Sequence, residues 1–211
     1  MHSLNTLGLK YGTDKASNRH DYLDFYETFI KEYQDKEITI LEFGCLHGAS
    51  LNMWAEYFPK AQVVGVDVNV ERPQLEHNNI LLYKCDCTNP FEVGPILQKH
   101  SPTIIIDDAS HLWSHQIVIF ETSFYFLEKG GVYICEDLQT SFGVYRDKNN
   151  ADYPVDGATF FSRLALAKLG RAAALSHPNL EDLPLLHKRI VQKIDFMAFR
   201  SECVLIKKAL S

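Results

Sequence analysis

Long apolar runs are missing from this 211-residue sequence. None approaches the roughly 20 residues that a bilayer-spanning helix needs. The opening MHSLNTLGLKYG also lacks the basic region and continuous apolar core of a signal peptide. Both absences argue against a membrane partner and predict a cytoplasmic location. Positive charge is in deficit too: 21 Lys+Arg against 27 Asp+Glu leave a formal charge of -6. No general electrostatic pull toward phosphate backbones or anionic membranes follows, so no nucleic-acid partner is expected. Cysteine is sparse and odd in number, at five. Cys45, Cys135 and Cys203 sit in apolar, strand-like runs as small buried thiols. The single-residue gap between Cys85 and Cys87 suits neither a redox pair nor a zinc knuckle, so all five read as structural.

What is present is an ordinary globular composition, 46% hydrophobic and 23% charged, without internal repeats or low-complexity tracts. Its size fits one domain with a sizeable core. Short β-branched runs alternate with longer segments of helical spacing, the pattern of a mainly parallel sheet covered by helices. Strands are expected over 38–44, 61–68, 79–86, 102–108 and 131–138. ASLNMWAEYF, NPFEVGPILQKH and SHQIVIFETSFYFLEKGG are the helices between them, followed later by ATFFSRLALAKLG. Near the end, IVQKIDFMAF and ECVLIKKA are parted by Arg200 and Ser201 alone, which predicts an antiparallel hairpin at the sheet edge. The polar stretch at 138–157 is too long for a plain connection and rich in aromatics, so it reads as an active-site loop.

The first strand runs into LEFGCLHGAS, where Gly44 and Gly48 bracket a tight turn at the edge of the sheet where ligands bind. Its G-x-x-x-G spacing is not the G-x-G-x-x-G dinucleotide fingerprint, since Leu46 stands at the second glycine position. Glu42, Asp67 and Asp86 close strands one, two and three. Each alone is more often a turn or cap residue. Together they form an acidic rim suited to a positively charged adenosine, with Asp67 placed for a ribose diol and Asp86 for an adenine amino group.

On these residues the chain resembles the class I methyltransferases that bind S-adenosylmethionine, with E-F-G-C-x-x-G as the glycine motif. The resemblance covers residues 38–138 and, in outline, the final hairpin. It implies an α/β, Rossmann-like doubly wound sheet of seven strands in the order 3-2-1-4-5-7-6, strand 7 antiparallel. It also implies one domain over 1–211, with 1–35 as a helical lid segment.

IIIDDASHLWSH drives a strand straight into ionisable groups. In such a sheet, strand four delivers Asp107 and Asp108 beside the cofactor crevice and strand five delivers Glu136 and Asp137. Carboxylates converging there repel one another unless a hard cation is present, and all-oxygen ligation is what Mg2+ prefers. His111, on the turn after Asp108, can face the same spot. It is a candidate general base for a hydroxyl acidified by the cation, and equally an exposed residue at a helix start. His115 and Asp107 read as supporting groups, Asp107 because neighbouring strand residues point to opposite faces.

D-D-A-S-H and E-D-L-Q-T-S, with K-Y-G-T-D-K near the N-terminus, resemble the metal-dependent sugar O-methyltransferases of macrolide biosynthesis, the mycinamicin type. That resemblance implies Asp108, Glu136 and Asp137 as metal ligands, His111 as base, and an N-terminal segment closing over cofactor or acceptor. Thr13, Asp14 and Lys15 thereby join the cofactor-binding candidates, although the same run also reads as a turn before the helix HDYLDFYETFIKEY. Tyr11, Tyr22, Phe25 and Tyr26 read first as core packing. Ala109 stands where the family often has glycine, and the chain is short for the family's auxiliary domain. The expected acceptor is a small-molecule sugar or glycoside. A catechol-type phenol, a nicotinamide oxidoreductase, a non-catalytic cofactor binder and a homo-oligomeric state stay open.

Overall fold

The computed structural model describes residues 2–150, 152–170 and 183–211. Five parallel strands form the body of one sheet: β1 Thr39–Phe43, β2 Gln62–Asp67, β3 Ile80–Lys84, β4 Ile104–Asp107 and β5 Val132–Cys135. A hairpin of β6 Ile194–Arg200 and β7 Cys203–Lys208 completes it, β7 lying antiparallel against β5. The strand order is β3-β2-β1-β4-β5-β7-β6, as expected from the sequence.

Strand pleating sorts the side chains. Ile40, Val63, Ile104 and Ile106 enter one buried cluster with α1 Leu4–Tyr11, α2 Leu23–Ile30 and α3 Ala49–Tyr57. Leu41, Val64, Val66 and Ile105 enter the other, with α4 Pro90–His100, α5 Trp113–Phe126, α6 Gly157–Gly170 and α7 Leu185–Lys193. Among the described residues no helix is long and apolar enough to cross a membrane. The last helix corrects the expected strand 190–199, whose first four residues, Ile190–Lys193, are helical. The β-branched pair Ile190 and Val191 looks like a strand by propensity, yet both lie on the buried side of an amphipathic helix. The first part of segment 138–157 winds through turns at Leu138–Ser141 and Gly143–Tyr145 and a helical turn at Arg146–Asn149.

The functional edge depends on Gly44. It follows β1 at φ +85°, and a Cβ there would strike the carbonyl oxygen of Asp108 at the end of β4. Only a residue without a side chain lets β1 and β4 end this close together. Gly44→Ala should therefore destabilise the fold by about 3 kcal/mol or more, combining left-handed strain with overpacking. A urea midpoint equal to that of the unsubstituted protein would contradict this.

Candidate active site

The N-terminal segment delivers a buried cation. α1 ends at Gly12 in left-handed backbone, and the chain turns back so that Tyr22 N–H donates to the Lys15 carbonyl at 2.9 Å. This threads the Lys15 side chain, only 1% exposed, into the carboxyl ends of the strands. Its ammonium donates to Glu136 Oε2 at 2.9 Å and to Asp108 Oδ2, and lies 3.5 Å from Glu42 Oε1. Burial alone would lower the lysine pKa, but Asp108, Glu136 and Glu42 together hold it well above its ordinary value. Burial in turn pushes Glu136 well up and Glu42 to about 7, with Lys15 opposing the rise in each.

Beside this pair stands a second cluster. His111 Nδ1 is 3.2 Å from Asp137 Oδ2, and ligand atoms of Asp108, His111 and Asp137 all lie within 4.8 Å of one another. The hydroxyl of buried Tyr22 donates to Asp137 Oδ1 at 3.2 Å, and Gln139 Nε2 donates to the same oxygen at 2.8 Å. His111 and Asp137 both adopt φ +59°, which L-residues rarely do. Asn149 of the segment after β5 holds the His111 carbonyl at 3.3 Å. A divalent cation fits these residues. Hard oxygens predominate among Asp108, Asp137 and His111, the kind of donor set such a cation takes.

Two adjoining cavities open onto the cluster. One of about 340 Å³ is lined by Thr13, Asp14, Lys15, Arg19, Gly44 and Ser50, among others. The other, of about 200 Å³, takes in Asp14, Gly44, Asp67, Asp108, His111 and Asp137. Asp67 faces this space while accepting from Cys45 N–H at 2.7 Å and Asn69 N–H at 2.8 Å, bonds that hold the glycine turn against β2. Gly48, at φ +84°, lets that turn enter α3.

The structure thus gathers Thr13, Asp14, Gly44, Asp67, Asp108, His111 and Asp137 at one crevice, with Glu136 on Lys15 behind it. Three expectations need correction. Glu42 is fully buried, accepts from Trp54 Nε1 at 2.8 Å and lines neither cavity, so it reaches the crevice only through Lys15. Asp86 closes an exposed turn by accepting from Thr88 and also lines neither cavity. Lys15 lines the larger cavity, but its charge is spent on the acids.

Sequence reasoning missed Leu46, Asn69 and Arg72, which line the smaller cavity. No spacing signal marks them. It also missed the Tyr22 hydroxyl, whose ring is in the core as expected. His115 supports the turn, its Nδ1 2.6 Å from Ser110 Oγ. Asp107 faces away from the crevice and accepts from Tyr133 at 3.0 Å.

No family model matches the chain. Curated sequences do. The chain is 32% identical over 154 residues, 67% of its length, to the 8-demethyl-8-alpha-L-rhamnosyl tetracenomycin-C 2'-O-methyltransferase of Streptomyces olivaceus. It is 27% identical over 147 residues to the mycinamicin VI 2''-O-methyltransferase of Micromonospora griseorubida. It spans 40% and 37% of those two proteins. Among solved structures, the MycE methyltransferase in complex with Mg, SAH and mycinamycin VI superposes at a TM-score of 0.82 with 20% identity, covering 99% of this chain and 55% of that one. This last likeness is one of fold.

Burial pushes the Asp107 carboxyl up to about 7. The folded protein there keeps a proton that the unfolded chain releases near pH 4, so stability falls as pH rises between about 4 and 7, by up to about 1.4 kcal/mol per unit for this group. Asp107→Asn removes that contribution. Urea denaturation across this range should give a shallower decline for the variant than for the unsubstituted protein, and parallel curves would contradict the assignment.

Proposed function

The chain is a homologue of sugar O-methyltransferases over the segment it shares with them, and on that premise we propose that it transfers a methyl group from S-adenosylmethionine to a hydroxyl of a glycosylated metabolite, with Mg2+ or another hard divalent cation. The observation that carries the reading is the juxtaposition of His111, Asp108 and Asp137 with the Asp67-lined cavity at the carboxyl edge of the sheet.

In this reading Asp67 takes the cofactor ribose, Gly44 and Gly48 let the backbone approach it, and Thr13 and Asp14 close the cavity from the N-terminal side. Asp108 and Asp137 would hold the cation, and Glu136, held by Lys15 behind them, is the third carboxylate the resemblance assigns to it. When bound, the cation polarises the acceptor hydroxyl and the cofactor sulfonium supplies an activated methyl group. Asp137 at Nδ1 orients the His111 ring and leaves Nε2 to take the hydroxyl proton. The balance closes on methyl ether, S-adenosylhomocysteine and a protonated histidine.

A glycoside with an apolar aglycone is favoured over a free sugar. Phe142, Val144 and Tyr145 are exposed at 61%, 77% and 51% on the segment tied to His111 through Asn149. Two relatives are named for sugars carried on larger frameworks, rhamnosyl on tetracenomycin-C and L-olivosyl on oleandolide, and an apolar surface beside the base suits such carriers.

The direct test is methyl transfer from labelled S-adenosylmethionine to glycosides, free sugars, sugar nucleotides and catechols, with EDTA or Mg2+. Transfer to a glycoside hydroxyl that EDTA abolishes and Mg2+ restores is expected; full activity without metal would sink the reading. His111→Ala should lower the transfer rate by about 10² or more while S-adenosylhomocysteine affinity stays near normal, whereas His115→Ala should cost far less. Asp67→Ala should weaken S-adenosylhomocysteine by about 2 kcal/mol or more in calorimetry, and unchanged affinity in the folded variant would misplace the ribose.

A further inference from the structure

The three carboxylates assigned to the cation are each gripped from the same short stretch of chain. Lys15 Nζ donates to Asp108 Oδ2 and, at 2.9 Å, to Glu136 Oε2. Tyr22 OH donates to Asp137 Oδ1 at 3.2 Å. The backbone bond from Tyr22 N–H to the Lys15 carbonyl fixes the two donors relative to each other. Neither side chain has room to leave: both are almost wholly buried, and the Tyr22 ring stacks between His20 and Tyr26.

We infer that Lys15 and Tyr22 are positioning residues of the cation site, which orient Asp108 and Asp137 so that their carboxylates face the same point as His111. This rests on the cation reading given above. A carboxylate held at one oxygen by a rigid donor has its other oxygen aimed without further loss of rotamer freedom, and outer partners of this kind are worth 10- to 100-fold in metal affinity. The bond pattern fits the role. Lys15 holds Oδ2 of Asp108. Tyr22 uses Oδ1 of Asp137, while Oδ2 faces His111. The segment between the two donors also places Arg19 on the larger of the two adjoining cavities.

The test is titration of the full chain, free of cofactor, with Mn2+ followed by electron paramagnetic resonance. Lys15→Met should weaken Mn2+ binding tenfold or more. Tyr22→Phe keeps the stacked ring and should weaken it about three- to tenfold, so the inference stays testable even if the lysine variant fails to fold. Tyr33→Phe loses another buried hydroxyl bond, to the Gly130 carbonyl at 2.5 Å. It should leave Mn2+ affinity within about twofold. If the unsubstituted protein binds Mn2+ and the folded Lys15 and Tyr22 variants bind it equally well or more tightly, the inference is overturned. A loss as large in Tyr33→Phe would overturn it as well, because the effect would then be one of general destabilisation. Absence of Mn2+ binding by the unsubstituted protein would instead remove the cation reading itself.

Discussion

One ammonium inside a nest of acids sets the terms for the rest of this molecule. β1, β4 and β5 each bring a carboxylate to nearly the same point, and an isolated buried carboxylate is so costly that it normally gives up its charge. Lys15 makes the convergence tolerable by meeting Glu42, Asp108 and Glu136 at once. The lysine belongs to none of these strands, so the N-terminal segment has to pack against the sheet for the sheet edge to exist in this form. Its anchors follow: Leu4, Leu7, Ala16, Leu23 and Tyr26 are buried in the cluster that also holds Ile40 and Ile106. Packing of α1 and α2 is thus as much a condition of the site as the strand ends are.

The single positive charge does not satisfy every oxygen. Glu42 Oε1 and Glu136 Oε1 remain without hydrogen bonds. Buried acceptors left in this way mark either strain or a ligand. Glu42 resolves toward strain relief by protonation, since its pKa is pushed up to about 7 by burial. Glu136 instead has the buried Tyr26 hydroxyl beside it, so the two orphaned oxygens differ in their surroundings although both belong to partners of Lys15.

Much of the fold was legible in the sequence because the elements follow from local signals, β-branched runs, helical spacing and a glycine turn after the first strand, while the strand order rested on the family resemblance. Even Asp107 could be assigned away from the crevice, from pleat alternation alone. What escaped was non-local. Lys15 meets Asp108 and Glu136 across 93 and 121 residues of chain, and no spacing rule links such positions, so the lysine read as a cofactor ligand and its partners as metal ligands alone. Glu42 read as part of the acidic rim because its strand ends there, but the strand runs on to Phe43 and leaves Glu42 buried against Trp54. Asp86 failed for the opposite reason. The bland alternative, a turn-capping aspartate, is what its bonds to Thr88 make it. Ile190–Lys193 were misread because β-branched residues report burial as much as strand.

The acid doublets show how the backbone turns an alternating pattern into a converging one. At Asp107-Asp108 the pleat is obeyed: the first side chain goes to Tyr133 in the core and the second to Lys15 at the crevice. The same rule applied to Glu136-Asp137 would send one of the pair away from the site. It does not, because Asp137 leaves the strand in left-handed backbone at φ +59° and ψ +38°, which swings its carboxylate back toward His111. His111 is brought round by the same device at the same φ. Each left-handed residue costs on the order of 1–2 kcal/mol, and neither position has the glycine that would remove that cost. A fold selected for stability alone would have glycine or asparagine at both. Left-handed backbone also occurs at Asp21, Leu46, Ser101, Asp152 and Glu202, but only at His111 and Asp137 does it turn an imidazole and a carboxylate to face one another across the end of the sheet.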